Sequence, residues 1–158
     1  MESNLSLQVT LAPQTPILQA QEAFALPIKV SVYNAADSPV TILRWGTPLD
    51  PQAGVLGVFE ICDTTDQRKL SVPTIMVSRK LPASADDLVE IQARHTRDVT
   101  VDLRIPGLEK GHEYSVRAQG TWHAVWPTEL SKVTTSQLRD NEGADRGKFL
   151  SNESSVRI

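Results

Sequence analysis

Only 5% of the residues are aromatic, yet Trp122 and Trp126 bracket His123 within one short run, and Trp45 closes another. In an extended strand successive side chains alternate, so Trp122 and Trp126 are expected on one face and His123 with Val125 on the other. The two indoles either cap a core or form a recognition surface, because Trp and Arg supply many binding hot spots. Two patches emerge. The first is Arg44, Trp45 and the loop from Gly46 to Asp50, and the second is Trp122, His123 and Trp126. Arg79 with Lys80 could add positive charge against an acidic partner.

The other reactive groups are dispersed. His95, His112 and His123 lie in separate segments, none with a second ligand at short helical or strand spacing, so no zinc-hydrolase ligand set is expected. Neither a Gly-x-Ser-x-Gly elbow nor a Gly-rich phosphate loop occurs. Asp86, Asp87 and Glu90 are the closest carboxylates, in a polar connection after Ser84, and Asp63 and Asp66 fall in a hairpin turn. Both groups are expected as solvated turn faces, since acid/base work needs burial to drive paired pKa values apart. An enzyme built on this chain would need His123, Asp50 or Glu60 as proton carrier in a pocket lined by Trp45, Trp122 and Trp126. It would act without a cofactor or metal.

Positioning these residues is the task of β-strands. Leu5, Leu7, Val9 and Leu11 alternate with polar residues, as do Leu26, Ile28, Val30 and Val32. Asn34 to Pro39 has turn chemistry, and strands are expected again at Val40 to Trp45 and Val55 to Cys62. Shorter strands are expected at Lys69 to Val72 and Thr74 to Arg79, then a stretch from Leu81 to Ile91 in which Ser84 could cap one helical turn before a strand at Leu88. Val99 to Ile105 and Tyr114 to Trp126 complete the pattern. About seven or eight strands with regularly spaced turns predict an all-β antiparallel sandwich over residues 1–126. Residues 127–158 read as a polar extension, with a short helix near Pro127 to Ser136 as one option and Ser155 to Ile158 returning as an edge strand.

The chain has 158 residues and a formal net charge of −3, which suits one soluble domain of roughly 100–200 residues. No Lys/Arg cluster supplies the electrostatic footprint of a nucleic-acid binder, and no apolar run is long enough for a membrane helix. The single Cys62 cannot close an internal disulfide and its apolar neighbours suggest a buried thiol. With no leader pattern after Met1, a cytoplasmic location is expected, and the Asn152-Glu153-Ser154 sequon would then be silent.

The run Val40-Thr-Ile-Leu-Arg-Trp-Gly-Thr-Pro-Leu-Asp50 resembles a segment in the pro-region of deuterolysin-type fungal zinc endopeptidases. There a strand of form Leu-Leu-Lys-Tyr/Trp-Gly-Thr-x-Leu-Asp follows a turn. Leu26 to Asn34 is similar to the strand before that turn, and Val58-Phe-Glu-Ile61 to the strand after it. Leu88 to Arg104 is similar to the region leading into the penultimate strand, so the likeness runs from about Leu5 to Trp122. The resemblance implies an immunoglobulin-like β-sandwich and the role of a folding aid or inhibitor. The family's catalytic His-Glu-x-x-His is absent, so it implies no protease activity.

The function expected from these readings is a non-enzymatic binding module whose partner is a protein or a small apolar ligand. A homodimer paired through the sheet edges at Leu5 to Leu11 or Ser155 to Ile158 is a further expectation.

Overall fold

The computed structural model describes residues 6–18, 24–72, 74–80 and 82–158. Leu5 and Leu81, named above, lie outside them. In chain order the strands are Leu7–Pro13 (β1), Ile17–Leu18 (β2), Phe24–Asn34 (β3), Val40–Leu43 (β4), Phe59–Asp63 (β5), Arg68–Lys69 (β6), Leu88–Ile91 (β7), Thr96–Ile105 (β8), Glu113–Trp126 (β9), Asp145–Leu150 (β10) and Ser154–Arg157 (β11). One short helix, Thr135–Asp140 (α1), precedes β10. The chain is all-β, as its alternation requires. Eleven strands stand among the described residues where seven or eight were expected, because β2 and β6 are only two residues long and the tail contributes two more. Residues 74–79 form no ladder; Ile75 and Met76 are exposed in an irregular connection.

Two antiparallel sheets face each other. In the first, β3 lies between β8 on one side and β1 with β2 on the other. In the second, β9 is the spine, flanked along its first half by β5 and β11 and along its second by β10 and β4, with β6 and β7 outside. Leu26, Ile28, Val30 and Val32 put one face of β3 wholly into the core, against Ile61, Val116, Ala118 and Ile42 of the second sheet. Buried Asn34 closes the turn after β3: its Nδ2 donates to the carbonyls of Ser38 and Ile91, and its Oδ1 accepts from Ala36 N. Ser84 and Asp87 form the expected capping box on a 3-10 turn at Ala85–Asp87, immediately before β7.

The register of β9 breaks within its aromatic run. Gly147 of β10 faces Trp122, whereas Asp145, two residues earlier, faces Val125, three residues later. The extra residue on β9 is a β-bulge at His123–Ala124, which shifts the inward positions from even to odd numbers. Trp122 and Val125 therefore join the main core, while Ala124 and Trp126 turn to the outer face of the sheet. That face has its own cover. Leu43, Ala83, Leu88 and Trp126 pack with Leu130, Val133 and Leu138 from the tail. The tail is pinned there by three bonds: Trp126 Nε1 donates to the Glu142 carbonyl at 2.9 Å, Thr41 Oγ1 to the Thr128 carbonyl, and Leu130 N to Glu90 Oε1. Residues 127–158, expected as a polar extension with a short helix as one option and a returning edge strand, supply α1 and the two strands β10 and β11, both paired with β9.

Both outer edges of the first sheet are partly occupied. Asn152 Oδ1 accepts from Leu11 N at 2.7 Å and Ser154 Oγ donates to the Leu11 carbonyl at 3.1 Å, so a side-chain amide and a hydroxyl stand where another strand would pair with β1. On β8, Gly54 lies so close that a Cβ there would meet the Asp102 carbonyl oxygen at 3.0 Å.

Gly120 faces Phe149 across β9 and β10, and the Phe149 ring lies over it, 4.8 Å from Trp122 between centroids. A Cβ at position 120 would fall 2.8 Å from Phe149 Cζ. Gly120→Ala should therefore lower unfolding free energy by about 1–3 kcal/mol, the cost of overpacking a filled core. Equilibrium denaturation measures it, and Phe149→Leu should relieve part of the loss in the double variant.

Candidate functional site

The segment from Gly46 to Asp50 is drawn in rather than protruding, because it carries its own hydrogen-bond acceptors. Gly46 has φ +69°, which allows the reversal after β4. Thr47 Oγ1 donates to the Arg44 carbonyl at 2.8 Å and accepts from Leu49 N, a local side-chain turn. The Asp50 carboxylate, 3% exposed, gathers the rest. Its Oδ2 accepts from Gly46 N at 3.0 Å and from Arg79 Nη2 at 2.5 Å, and its Oδ1 accepts from Gln52 N at 2.9 Å. Arg79 is thereby fixed with its guanidinium carbon 5.5 Å from the centre of the Trp45 ring, a cation–π contact.

Asp87 lies on the other side of Trp45, where its carboxylate accepts from Ser84 N at 2.9 Å. Burial pushes the Asp87 carboxyl up, but hydrogen bonds from the Ser84 backbone and the Trp45 side chain, with the Arg44 charge, outweigh it and leave the group below its ordinary value. Beside this half-buried indole opens a cleft of about 570 Å³, within the size range of small-ligand sites. Trp45, Arg79 and His123 line it together with Leu138, Arg139, Asp140 and Asn141 from the end of α1. His123 stands on the bulge of β9, close to Gly46. Although the side chain reaches solvent, partial shielding of the ring from water first, and then the positive charge of Arg146, hold its imidazole below the usual histidine value.

A sequence model for an immunoglobulin-like domain matches residues 17–158. The chain belongs to the immunoglobulin-like domain family. A protein of Arthroderma benhamiae named "Uncharacterized secreted protein" is 36% identical over 156 residues, which span 96% of this chain and 78% of the relative. Two solved structures are similar over the whole chain: structural-genomics target SoR45, with TM-score 0.52 and 8% identity over 90% of its length, and the putative ApaA protein from Bordetella pertussis, with TM-score 0.50 and 10% identity over 98% of its length. At such identities the likeness to the solved structures is one of fold.

The secreted relative overturns the cytoplasmic expectation. That reading rested on the residues that follow Met1; Cys62, expected to be buried, is half-buried in this immunoglobulin-like domain. A lone thiol excludes an internal disulfide but does not identify a compartment.

The cleft unites Trp45, Arg79 and His123, with Asp50 behind Arg79; the remaining expected residues lie elsewhere. Trp122 and Trp126 are each 1% exposed and pack on opposite faces of the second sheet, so they do not form a surface with His123. The bulge in β9 is the reason. Arg44 is half-buried with its charge toward Asp87, outside the cleft lining. Thr47 to Asp50 are buried, so their part is to position Arg79 rather than to touch a ligand. The residues from α1 were not expected; the Thr134-x-x-Gln137 capping box that starts this helix was their one legible signal.

A second polar constellation lies at the far end of β9. Asp63, Asp66, Glu109 and His112 each bring one ligand-type atom within 4.8 Å of the others, a donor set that a divalent cation could accept. Asp63 is fully buried and its Oδ2 bonds His112 Nδ1 at 2.9 Å, with Glu109 Oε2 at 3.2 Å from the same nitrogen. The bond to Asp63 raises the His112 pKa, against burial and with help from the Asp63, Glu109 and Asp66 charges. Burial pushes Asp63 up, but the bonds from His112 and from Asp66 N and Thr65 N prevail and hold it below its ordinary value.

Two predictions follow from these pairs. Arg79→Ala leaves Asp50 buried without its cation and should cost about 2–3 kcal/mol in denaturant unfolding, on the low side for a broken buried pair because 26% of the Arg79 side chain is exposed. The His112 contribution is complete below about pH 6.5 and is lost as pH rises through the raised folded value, whereas the Asp63 contribution is present above about pH 3.9 and is lost as pH falls through the lowered one. The stability difference between the protein and its His112→Gln variant should therefore be larger at pH 5 than at pH 9; equal differences at both would count against the ion pair.

Proposed function

We propose that the protein is an extracellular binding domain whose cleft holds a ligand with a flat apolar or aromatic part on Trp45 and a hydrogen-bond acceptor turned toward Arg79, Arg139 and His123. The observation that carries this reading is the clamp: a buried carboxylate fixes an arginine against a half-exposed indole at the mouth of a cleft of about 570 Å³. Preset groups of this kind lower the ordering cost of binding. Arg79 and Arg139 bring guanidinium N–H donors to the cleft, which suits a ligand that presents an acceptor. The extracellular location draws on the secreted relative. An inhibitory role toward a protease rests on the Val40 to Asp50 resemblance alone.

Binding is preferred to catalysis on the state of His123. A general base needs an orienting partner, and among the described residues no carboxylate hydrogen-bonds to its imidazole.

Trp45 is half-buried while the other two tryptophans are sealed, so a ligand in the cleft should perturb Trp45 emission. Titration with aromatic carboxylates, phenylacetate and indole-3-acetate among them, should give saturable changes by fluorescence or calorimetry. Trp45→Leu and His123→Ala should each weaken binding about tenfold or more, the size of a lost contact worth roughly 1.4 kcal/mol. Undiminished binding in both variants would remove the cleft as the site.

A further inference from the structure

The sequon Asn152-Glu153-Ser154 lies in the connection between β10 and β11, where Asn152 and Glu153 are exposed. Resting on the extracellular reading above, we infer that Asn152 is an N-glycosylation site that carries its glycan while still latching the two sheets together.

The hydrogen bonds of the latch allow both tasks. Asn152 Oδ1 accepts from Leu11 N at 2.7 Å, and glycosylation leaves that oxygen untouched. Nδ2 makes two contacts, to Ser154 Oγ at 2.8 Å and to the Leu11 carbonyl at 3.3 Å. Attachment replaces one of its two hydrogens, and the amide keeps one N–H, sufficient for the shorter bond. The Leu11 carbonyl, which loses the longer contact, retains Ser154 Oγ as a donor at 3.1 Å. No buried polar group is orphaned, so the modification does not incur the desolvation cost that would oppose it. The exposed position lets the glycan project into solvent. In the transfer itself, Asn152 Nδ2 bonds to C1 of a sugar donated by a lipid-linked oligosaccharide pyrophosphate. The bond from C1 to the pyrophosphate oxygen breaks, the amide gives up one proton, and the lipid pyrophosphate leaves.

The full chain, produced behind a cleavable secretion leader in a eukaryotic host, tests the site independently of natural location. The secreted protein should show excess mass that amidase digestion removes, with conversion to Asp at position 152 in the peptide map. Asn152→Gln and Ser154→Ala should lose the excess and Ser154→Thr should keep it. Asn152→Asp retains an oxygen for Leu11 N and serves as the unglycosylated control if Asn152→Gln does not fold. Secreted, folded protein of unmodified mass, or a glycan persisting in Ser154→Ala, would overturn the inference. Fractionation of the source cells judges the extracellular reading separately: glycan on the leader-directed chain supports the site even if the natural protein proves to stay inside.

Discussion

One displaced residue in β9 sets the plan of this molecule. Without the bulge at His123–Ala124, Trp122 and Trp126 would point the same way and the strands of the second sheet would show little beyond Leu43 and Leu88 on the outer face. With it, a large indole emerges on the outer face, where exposure would strand a wide apolar surface in water. The tail answers that need. Its few apolar residues, Leu130, Val133 and Leu138, cover Trp126, and three side-chain hydrogen bonds hold it down. The same bulge leaves His123 exposed beside Gly46, and the helix that follows the cover supplies one wall of the cleft. The architecture and the candidate site share one cause.

Asp50 plays a comparable part on a smaller scale. A carboxylate taken from water must be met by donors, and here two backbone amides and a guanidinium converge on it. In satisfying the charge, the chain also fixes the tight path from Gly46 to Asp50 and the height at which Arg79 crosses Trp45. Side chains that touch no ligand thus decide where those that can touch one will stand.

Much of the sandwich was legible as alternation. β1, β3 and β8 follow the every-other-residue pattern, Asn34 to Pro39 forms the turn its side chains favour, and Ser84 to Asp87 forms a capped turn ahead of β7. The bulge was not legible, because alternation counts residues along one strand and a bulge exists only in the pairing of two. The burial of Thr47 to Asp50 was hidden for a similar reason: polar residues next to prolines resemble solvated loop until their hydrogen-bond partners are known. In the tail, Ser154–Arg157 is the returning edge strand that the alternation from Ser155 to Ile158 suggests, whereas β10 was not legible, because pairing with β9 rather than an apolar rhythm makes it a strand. Of the candidate residues, Trp45, Arg79, His123 and Asp50 were found by residue type, and their assembly came from contacts distant in sequence.

The amide of Asn152 and the hydroxyl of Ser154 occupy the backbone of Leu11, and Gly54 crowds the carbonyl of Asp102 on the opposite margin. A sandwich ordinarily leaves such margins ready to template a neighbouring molecule, the first step toward fibrils. Occupied at these two points, the first sheet offers an incoming strand a shortened template, which works against that form of self-propagating growth when the protein is crowded.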